Sequence, residues 1–461
     1  VLLFALVGVL AEPTAAELGD VAALVVIHRH GARFPVAAPH SEAICGDQCG
    51  DLTPTGKRML FTLGQTLQRE YPSLQFRSAG ALRTLGSSYD ARRVTSFSTD
   101  TERTLDSASA FVKGLLAPPG ATLDTLPANV SAVLPAIRGR PVAEATAMIV
   151  WASWPSLMLH SSITTKAFNA MMYKRLSALF TVADIQTIGQ ELGGTPLCDG
   201  SAVTFFDCLL AAQDVITCAF SNEPAATVHT KYPWMASNFD RLTNVMVIYN
   251  AVSMYNASQP FDHAIGTKGF LLAQEILGRV ESDIIQAPTA GAKRERPVVI
   301  EYSGHDITLM PFSETIGNTS LTNPTFAGAF VLEVRRPASA MGRWSVRLRY
   351  GEPEQRYGSD AAYGFFDFGL KCTDASGTTT DANPATGCAY ADWARFLSTR
   401  GPASPAGICF LPEADLAAIN CTVGTDEAPP ANAQCREYRS KCPRWACRAP
   451  AFDPADTAYA L

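Results

Sequence analysis

The stretch IHRHGARFP, residues 27–35, ends an apolar run and places an arginine on either side of a histidine. The guanidinium groups of Arg29 and Arg33 are planar, permanently charged and able to bind two phosphate oxygens each. His30 lies between them, and histidine is the side chain that can act as a neutral nucleophile near physiological pH. Gly31 permits close approach of the backbone to a bound anion. The combination of two guanidiniums and one imidazole suits covalent phosphoryl transfer.

Two apolar runs predict strands of one buried sheet. Residues 21–27 are continuously apolar and short, as expected for a central strand that helices cover on both faces. Residues 298–302 form a second predicted strand, which ends in a glycine turn carrying His305 and Asp306. Ligands of open α/β sheets bind at the carboxyl ends of strands, so both motifs lie where a ligand is expected. The alternative for the first motif is a solvated basic turn with a satisfied histidine.

A third arginine follows a further predicted strand, residues 94–99. Residues 98–100 can cap a helix that carries Arg103 in its first turn. A cation at that end opposes the helix dipole, so its placement suggests a bound anion that also uses the helix N-terminus. The alternative is an ordinary exposed arginine on a helix surface.

The spacing R-H-G-x-R-x-P at residues 29–35 resembles the signature of the histidine acid phosphatases, the branch that also contains phytases and inositol polyphosphate phosphatases. Residues 98–104, S-T-D-x-x-R-T, resemble the third-arginine region of that family, and residues 305–306 resemble its histidine-aspartate element. The resemblance implies His30 as nucleophile and Asp306 as proton donor. The phosphate-binding residues that it implies are Arg29, Arg33, Arg103 and His305.

The expected reaction is hydrolysis of phosphomonoesters, on small molecules or phosphoproteins, through a phosphohistidine and without a metal ion or other cofactor. Nearby cations disfavour the imidazolium form of His30, and a phosphate dianion beside Asp306 favours its neutral form, so activity is expected at acid pH. Phytase or inositol polyphosphate phosphatase activity is the first alternative and would need additional Lys and Arg around a wide pocket. Ile307 and Thr308 look more like the acid phosphatase pattern. The second alternative is a non-catalytic glycosylated surface or binding protein on the same scaffold.

The chain divides into four predicted parts. Residues 1–18 read as the remnant of a signal peptide. Residues 19–134 and 262–400 form an α/β core with a central mixed, largely parallel sheet flanked by helices. Residues 135–261 are a mostly helical inserted domain, which in the family covers the active site. Residues 401–461 are a cysteine-rich extension.

Local patterns predict further elements. Thr53 is expected to cap a helix that begins at residue 54. Residues 265–285 are predicted as one helix, and residues 326–335 and 344–350 as a hairpin at the sheet edge. Further helical stretches are predicted at residues 142–151, 165–180, 203–220, 238–255, 390–397 and 413–420. Three histidines, His160, His229 and His263, are expected to be packing or surface residues.

The composition of the 461-residue chain points to the secretory pathway. A formal net charge of −6 argues against general binding to nucleic acid or anionic membranes.

Twelve cysteines favour disulfides, with a local bridge between Cys45 and Cys49 that staples its loop or rims the pocket. Zinc is the weaker alternative for the C-terminal cysteines. Sequons for N-glycosylation occur at Asn129, Asn256, Asn318 and Asn420. No later apolar segment is long enough to span a bilayer. The expected location is secreted, lysosomal or cell-surface, and the assembly considered is a homodimer.

Overall fold

The computed structural model describes residues 20–36, 44–72, 74–78, 81–84, 93–118, 120–126, 137–140, 148, 155–253, 256, 258–286, 298–337, 339, 342–354, 363–404, 406–421 and 432–442. The predicted signal peptide, Asn129, Cys447 and nearly all of the predicted helical stretch 142–151 lie outside the described residues. The division into domains at residues 134, 261 and 400 stays a prediction.

The strands are β1 (Val21–Arg29), β2 (Gln75–Ser78), β3 (Ala81–Thr84), β4 (Val94–Thr99), β5 (Ile137–Arg140), β6 (Val299–Gly304), β7 (Ala329–Arg335), β8 (Ser345–Pro353), β9 (Tyr363–Asp367), β10 (Lys371–Thr373), β11 (Thr379–Asp381) and β12 (Cys388–Ala389). Eight of them form the main sheet in the order β12-β8-β7-β1-β6-β4-β5, with β9 paired to β8. The parallel pairs are β1 with β6, β6 with β4, and β4 with β5. All pairings of β7, β8, β9 and β12 are antiparallel. The predicted mixed sheet flanked by helices is confirmed, but it is not largely parallel, because three of the pairings among its described strands are parallel and four are antiparallel.

The helices are α1 (Pro54–Glu70), α2 (Glu102–Leu116), α3 (Pro155–Leu176), α4 (Val182–Glu191), α5 (Phe205–Asn222), α6 (Ala225–Lys231), α7 (Pro233–Ser237), α8 (Phe239–Ser253), α9 (Pro260–Ile265), α10 (Phe270–Arg279), α11 (Asp306–Thr315), α12 (Tyr390–Ser398), α13 (Glu413–Ala418) and α14 (Ala433–Lys441). Six of them, α3 to α8, lie in the predicted inserted segment and share an apolar core of their own. No helix among the described residues has the length and apolar character needed to cross a bilayer.

The central position of β1 follows from its apolar residues, because alternate side chains on a strand face opposite sides of the sheet. Val25 and Ile27 belong to the core cluster that also contains residues of α10, α11 and α12. Leu24 and Val26 belong to the cluster shared with α1 and α2. Both faces of the strand are therefore covered, as the sequence predicted.

The first helix begins as predicted. The Thr53 hydroxyl accepts a hydrogen bond from the Gly56 N–H at 3.1 Å, and Pro54 occupies the first helical position. The cap of α2 differs from the prediction: the N-cap residue is Thr101 rather than one of residues 98–100. Arg103 nevertheless lies in the first turn of α2.

Two other predictions are wrong in detail. Residues 265–285 are not one helix, because Gly266 ends α9 with φ 75° and α10 begins only at Phe270, followed by a π-helical turn at Val280–Ile285. The hairpin of β7 and β8 is confirmed, but β7 pairs directly with β1, so the hairpin continues the sheet from its centre rather than lying at its edge.

Five disulfides join described cysteines: Cys45–Cys49, Cys198–Cys208, Cys372–Cys388, Cys409–Cys442 and Cys421–Cys435. The predicted local bridge between Cys45 and Cys49 is confirmed. Four C-terminal cysteines are paired and therefore do not offer thiolates to zinc. Cys218 is a buried free thiol, which the even cysteine count did not predict.

Candidate active site

His30 directly follows β1, and its backbone is hydrogen-bonded to the end of β6 and to the loop before β7. In the parallel pairing of β1 with β6, Arg29 lies opposite Gly304, so the ends of the two predicted motif strands are neighbours. The His30 N–H donates to the Gly304 carbonyl at 2.9 Å, and the Ala327 N–H donates to the His30 carbonyl at 3.0 Å. This pairing brings His305 to the imidazole of His30, with ring centroids 5.4 Å apart.

The imidazole of His30 has a defined tautomer. Its Nδ1 lies 2.9 Å from the Gly31 carbonyl, which can only accept, so Nδ1 carries the hydrogen and Nε2 keeps its lone pair. Burial lowers the pKa of His30 well below its usual value, and the charges of Arg29 and Arg33 lower it further. The flanking arginines act as the sequence predicted, but burial, which the sequence did not reveal, is the larger cause. His30 is therefore a neutral imidazole at mildly acid pH.

Arg29 links the motif to Asp306. Its Nη2 lies 2.9 Å from Asp306 Oδ2, and its Nη1 donates to the Pro324 carbonyl at 2.6 Å. The guanidinium also lies over the ring of Phe326, 4.4 Å from its centre. A cation on an aromatic face gains electrostatic attraction, so three contacts from two segments fix the position of Arg29.

The ionised form of Asp306 is favoured by its surroundings. Burial raises the pKa of its carboxyl, but the charge of Arg29 and a hydrogen bond from the Ile307 N–H outweigh burial, and the pKa is lowered. The side chain retains 26% exposure. A proton donor must be neutral. The neutral form of Asp306 is expected only when a phosphate dianion is bound next to it, and this stays a prediction.

Arg33 is paired with a residue of the helical segment. Its Nη2 lies 2.7 Å from Asp214 Oδ1 and its Nη1 lies 3.3 Å from Asp214 Oδ2. Burial disfavours the charged form of Arg33, but Asp214 more than compensates, so the pKa of Arg33 is raised. Asp214 belongs to α5, 181 residues further along the chain, and the sequence analysis did not identify it.

Arg103 lies in the same electrostatic environment. Burial lowers its pKa to about 10, and Arg33 and Arg29 add to the shift, although Arg103 still remains charged at acid pH. Gly50 directly follows the Cys45–Cys49 bridge and lies close to Arg103. A Cβ added to Gly50 would be 3.8 Å from Arg103 Nη1. The bridged loop is therefore both stapled and next to a predicted phosphate-binding residue.

His305 is held by a hydroxyl of β4. Its Nε2 lies 3.0 Å from Thr99 Oγ1, which in turn is 2.8 Å from Thr104 Oγ1. Burial lowers the pKa of His305 to about 3, with Arg103 the next cause, so this imidazole is also neutral. A neutral histidine carries a hydrogen on only one ring nitrogen. Thr99 contacts Nε2 of His305 and leaves Nδ1 free of this contact.

The three arginines predicted to bind phosphate share a further feature. The Nε atoms of Arg29, Arg33 and Arg103 are buried and make no hydrogen bond to the described residues. The Nε atoms of arginines outside the site, such as Arg347 and Arg349, share this feature, so it is compatible with a bound anion without indicating one.

Gly31 has a packing role that the sequence analysis did not foresee. A Cβ at this position would lie 2.3 Å from the carbonyl oxygen of Gly56 in the first turn of α1. The reverse holds as well, since a Cβ on Gly56 would lie 2.1 Å from the Ala32 carbonyl oxygen. Two facing glycines thus let the motif backbone contact α1 directly.

A cavity of about 160 Å³ lies between this cluster and the helical segment. Arg29, Arg33 and Asp306 border it on one side. The remaining described lining residues are polar or apolar side chains without positive charge: Leu210, Gln213, Asp214, Thr217, Ser221, Phe239, Thr243, Met246, Asn323, Pro324, Thr325 and Phe326. The carboxyl of Asp306 therefore faces a space formed mainly by α5, α8 and the loop before β7.

The other histidines in or near the helical segment lie apart from this cluster, as predicted. His160 stacks on Phe261 and its Nδ1 lies 2.5 Å from Asp415 Oδ2. His229 and His263 are exposed. A second cavity of about 790 Å³ is lined in part by His160 and contains none of the six predicted site residues.

The sequence profile of the histidine phosphatase superfamily (branch 2) matches residues 39–339, more than half of the chain. The matched region begins just after the His30 motif and includes Arg103, His305 and Asp306.

Individual relatives agree with this match. The lysosomal acid phosphatase of Bos taurus is 36% identical over 101 residues, which are 21% of this chain and 22% of that protein. The match thus spans about a fifth of its length. A phytase of Hafnia alvei in complex with myo-inositol hexakis sulphate has a TM-score of 0.53 at 15% identity, covering 87% of this chain and 100% of its own. A phytase of Citrobacter braakii has a TM-score of 0.52 at 14% identity, covering 82% of this chain and 97% of its own. At these identities the two structures show a shared fold. The profile match and that shared fold establish that the chain belongs to the histidine phosphatase superfamily, branch 2.

Proposed function

We propose that the protein is an acid phosphatase that hydrolyses phosphomonoesters through a phosphohistidine at His30. The observation that carries the proposal is the neutral imidazole of His30, whose Nδ1 is bonded to the Gly31 carbonyl and whose Nε2 is left as a nucleophile among three arginines. The partial match to a lysosomal acid phosphatase supports the same activity.

In the first step, His30 Nε2 attacks phosphorus in line, an N–P bond forms and the bond from phosphorus to the ester oxygen breaks. The leaving oxygen takes a proton from Asp306. Arg29, Arg33, Arg103 and His305 hold the other phosphoryl oxygens. Since the charge of the transition state is spread over those oxygens, positioned cationic donors provide most of the acceleration.

In the second step, water attacks phosphorus and the N–P bond breaks. The Asp306 carboxylate accepts a proton from the water, which returns the carboxyl to its neutral form, and inorganic phosphate leaves. Loss of any one oxygen-binding donor is expected to raise the barrier by about 3 kcal/mol.

The cavity beside Asp306 favours monophosphates over phytate and other inositol polyphosphates. Its described cations are Arg29 and Arg33, and both are assigned to the transferred phosphoryl group. A second phosphate on the leaving group would find neutral partners such as Gln213 and Thr243 there, with no further cation among the described lining residues. Relative rates on phytate and on p-nitrophenyl phosphate test this preference, and a higher kcat/KM on phytate would favour the phytase alternative.

The test of the proposed activity is the His30→Ala variant with p-nitrophenyl phosphate at pH 5. We expect hydrolysis to fall by several orders of magnitude while thermal unfolding stays close to wild type. His229→Ala is the matched control, because His229 is an exposed histidine outside the site and its loss should leave activity unchanged. Near-normal hydrolysis by His30→Ala would remove the proposal. No hydrolysis of any monoester by the wild type would favour the non-catalytic binding protein instead.

We also propose that the protein enters the secretory pathway and is glycosylated, with secreted, lysosomal and cell-surface locations as the alternatives. Five disulfides among the described residues support an oxidising compartment. Asn256 and Asn420 are exposed, whereas Asn318 is half-buried and its Nδ2 donates to the Gly369 carbonyl. A mass shift on treatment with peptide N-glycosidase tests the glycans. A homodimer is a separate proposal that sedimentation equilibrium tests.

A further inference from the structure

Helix α5 presents one face to the segment that carries Arg33. Asp214, Cys218 and Asn222 are spaced four residues apart and lie on the same side of the helix. The Asp214 carboxylate binds the guanidinium of Arg33, and the Cys218 sulfur lies 3.5 Å from Arg33 Nη1. Asn222 Nδ2 donates to the Arg33 carbonyl at 3.1 Å. Three successive turns of α5 therefore contact one residue of the phosphate motif.

The Asp214 carboxylate uses both of its oxygens in this contact. Oδ1 and Oδ2 accept from the two terminal nitrogens of Arg33, and Oδ2 also accepts from the Val36 N–H at 2.7 Å. Asp214 is buried, with 8% exposure. A buried carboxylate with a bidentate arginine partner has a defined geometry, because the planar fork of the guanidinium allows few alternatives.

The bonded edge of the guanidinium leaves the Nε of its other edge without a hydrogen-bond partner among the described residues. Asp214 occupies the end formed by Nη1 and Nη2, and the remaining hydrogen of Nη1 is directed to the Phe34 carbonyl at 3.0 Å. The side edge consists of Nε and the outer hydrogen of Nη2, and Nε has no hydrogen-bond partner among the described residues. An arginine can therefore bind the carboxylate with one edge and a phosphate with the other.

We propose that Asp214 is a positioning residue that aims the side edge of Arg33 at the phosphoryl group. Through it the helical segment fixes part of the phosphate site of the α/β core. The inference rests on the proposed function only in assigning Arg33 to phosphate. It predicts that Asp214 affects phosphate through Arg33 and not through the general stability of the fold.

The experiment measures binding of inorganic phosphate by calorimetry, which needs no turnover. We expect Asp214→Ala to weaken binding at least about 10-fold, since misplacing a binding group by about 1 Å has effects of this size or larger. Asp214→Asn keeps the shape and one acceptor oxygen, and we expect a smaller loss. Asp214→Asn also keeps the test available if the alanine variant does not fold.

The control is Asp184→Asn, because Asp184 of α4 makes an ion pair at 2.9 Å with Arg241 within the helical segment. We expect this variant to bind phosphate like the wild type. The decisive comparison adds Asp214→Ala, or Asp214→Asn, to Arg33→Ala. If Asp214 acts through Arg33, the second substitution does not weaken phosphate binding further.

Each result has a distinct meaning. Equal loss from the Asp214 substitution with and without Arg33 would overturn the positioning role, and so would unchanged phosphate binding by both Asp214 variants. Absence of phosphate binding by the folded wild type would instead remove the proposed function. A loss that appears only when Arg33 is present supports the inference.

Discussion

Replacing Gly31 with alanine is expected to disable the site by moving the backbone that carries His30. The new Cβ would lie 2.3 Å from the Gly56 carbonyl oxygen and 2.6 Å from the Gly56 Cα. Heavy atoms of this kind pack at roughly 3.5 Å, so the motif or the first turn of α1 must move by roughly 1 Å. Overpacking of this size costs about 1–3 kcal/mol of stability. A shift of about 1 Å at a reacting group costs about 100-fold in rate.

The assay is kcat/KM for p-nitrophenyl phosphate at pH 5, together with thermal unfolding. Gly56→Ala introduces the same contact from α1 and should give a comparable loss. Gly278→Ala is the matched control, because a Cβ there meets no atom within 4 Å and the residue lies in α10. Alanine in a helix interior is favoured over glycine by about 0.5–1 kcal/mol, so this variant should be fully active and slightly more stable. Activity of Gly31→Ala within a factor of about two of the wild type, in a folded protein, would refute the steric reasoning.

Asp306→Asn should lower kcat/KM for glycerol phosphate far more than for p-nitrophenyl phosphate, because kcat/KM reports the step in which the leaving group departs and only the poor leaving group needs a donated proton; equal losses in kcat/KM would remove the donor role. Activity should persist as the pH falls below 6.5, because the pKa of His30 is lowered by burial and by Arg29, and a pH–rate profile with an acid midpoint near 6.5 would contradict this. The free energy of unfolding should decrease as the pH falls from about 6.5 towards 3, because the unfolded chain then binds protons that His30 and His305, the latter with a pKa of about 3, do not bind when folded. Urea unfolding at several pH values measures this, and a free energy that stays constant or rises over that range would contradict it.

The sequence predicted that both motifs lie at the ends of strands, because a short apolar run precedes Arg29 and His30 and a second one precedes His305. The structure adds that these ends are neighbours, through the parallel pairing of Arg29 with Gly304. The first turn of α2 was also recognisable because Arg103 follows a buried strand with a capping segment. These are local patterns of burial and charge, so a single sequence contains them.

Other features depend on contacts that no local pattern contains. Asp214 lies on an amphipathic helix, where a carboxylate is usually solvated, and its partner Arg33 is 181 residues away. Phe326 supports Arg29 from a loop in the same way. The reason for Gly31 is also distant in sequence, since it lies in the backbone of Gly56.

For two of the incorrect predictions, the local sequence contains features that indicate the observed structure. Gly266 and Gly269 lie within the stretch predicted as one helix, and their spacing marks the break between α9 and α10. Strand β7 is buried along almost its whole length, and the stretch AFVLEV, residues 329–334, which is apolar except for Glu333, is typical of an interior strand rather than an edge. Amphipathic periodicity alone does not reveal a helix break, and hairpin spacing alone does not place a hairpin within its sheet.

The central claim is covalent transfer of the phosphoryl group through His30, and the stereochemical course at phosphorus tests it most directly. A phosphomonoester made chiral at phosphorus with oxygen isotopes is incubated with the enzyme and an acceptor alcohol, and the configuration of the product ester is determined. Attack by His30 Nε2 followed by attack of the acceptor comprises two in-line displacements, each of which inverts phosphorus. The account predicts net retention of configuration. Net inversion would mean a single direct displacement and would contradict a phosphohistidine intermediate.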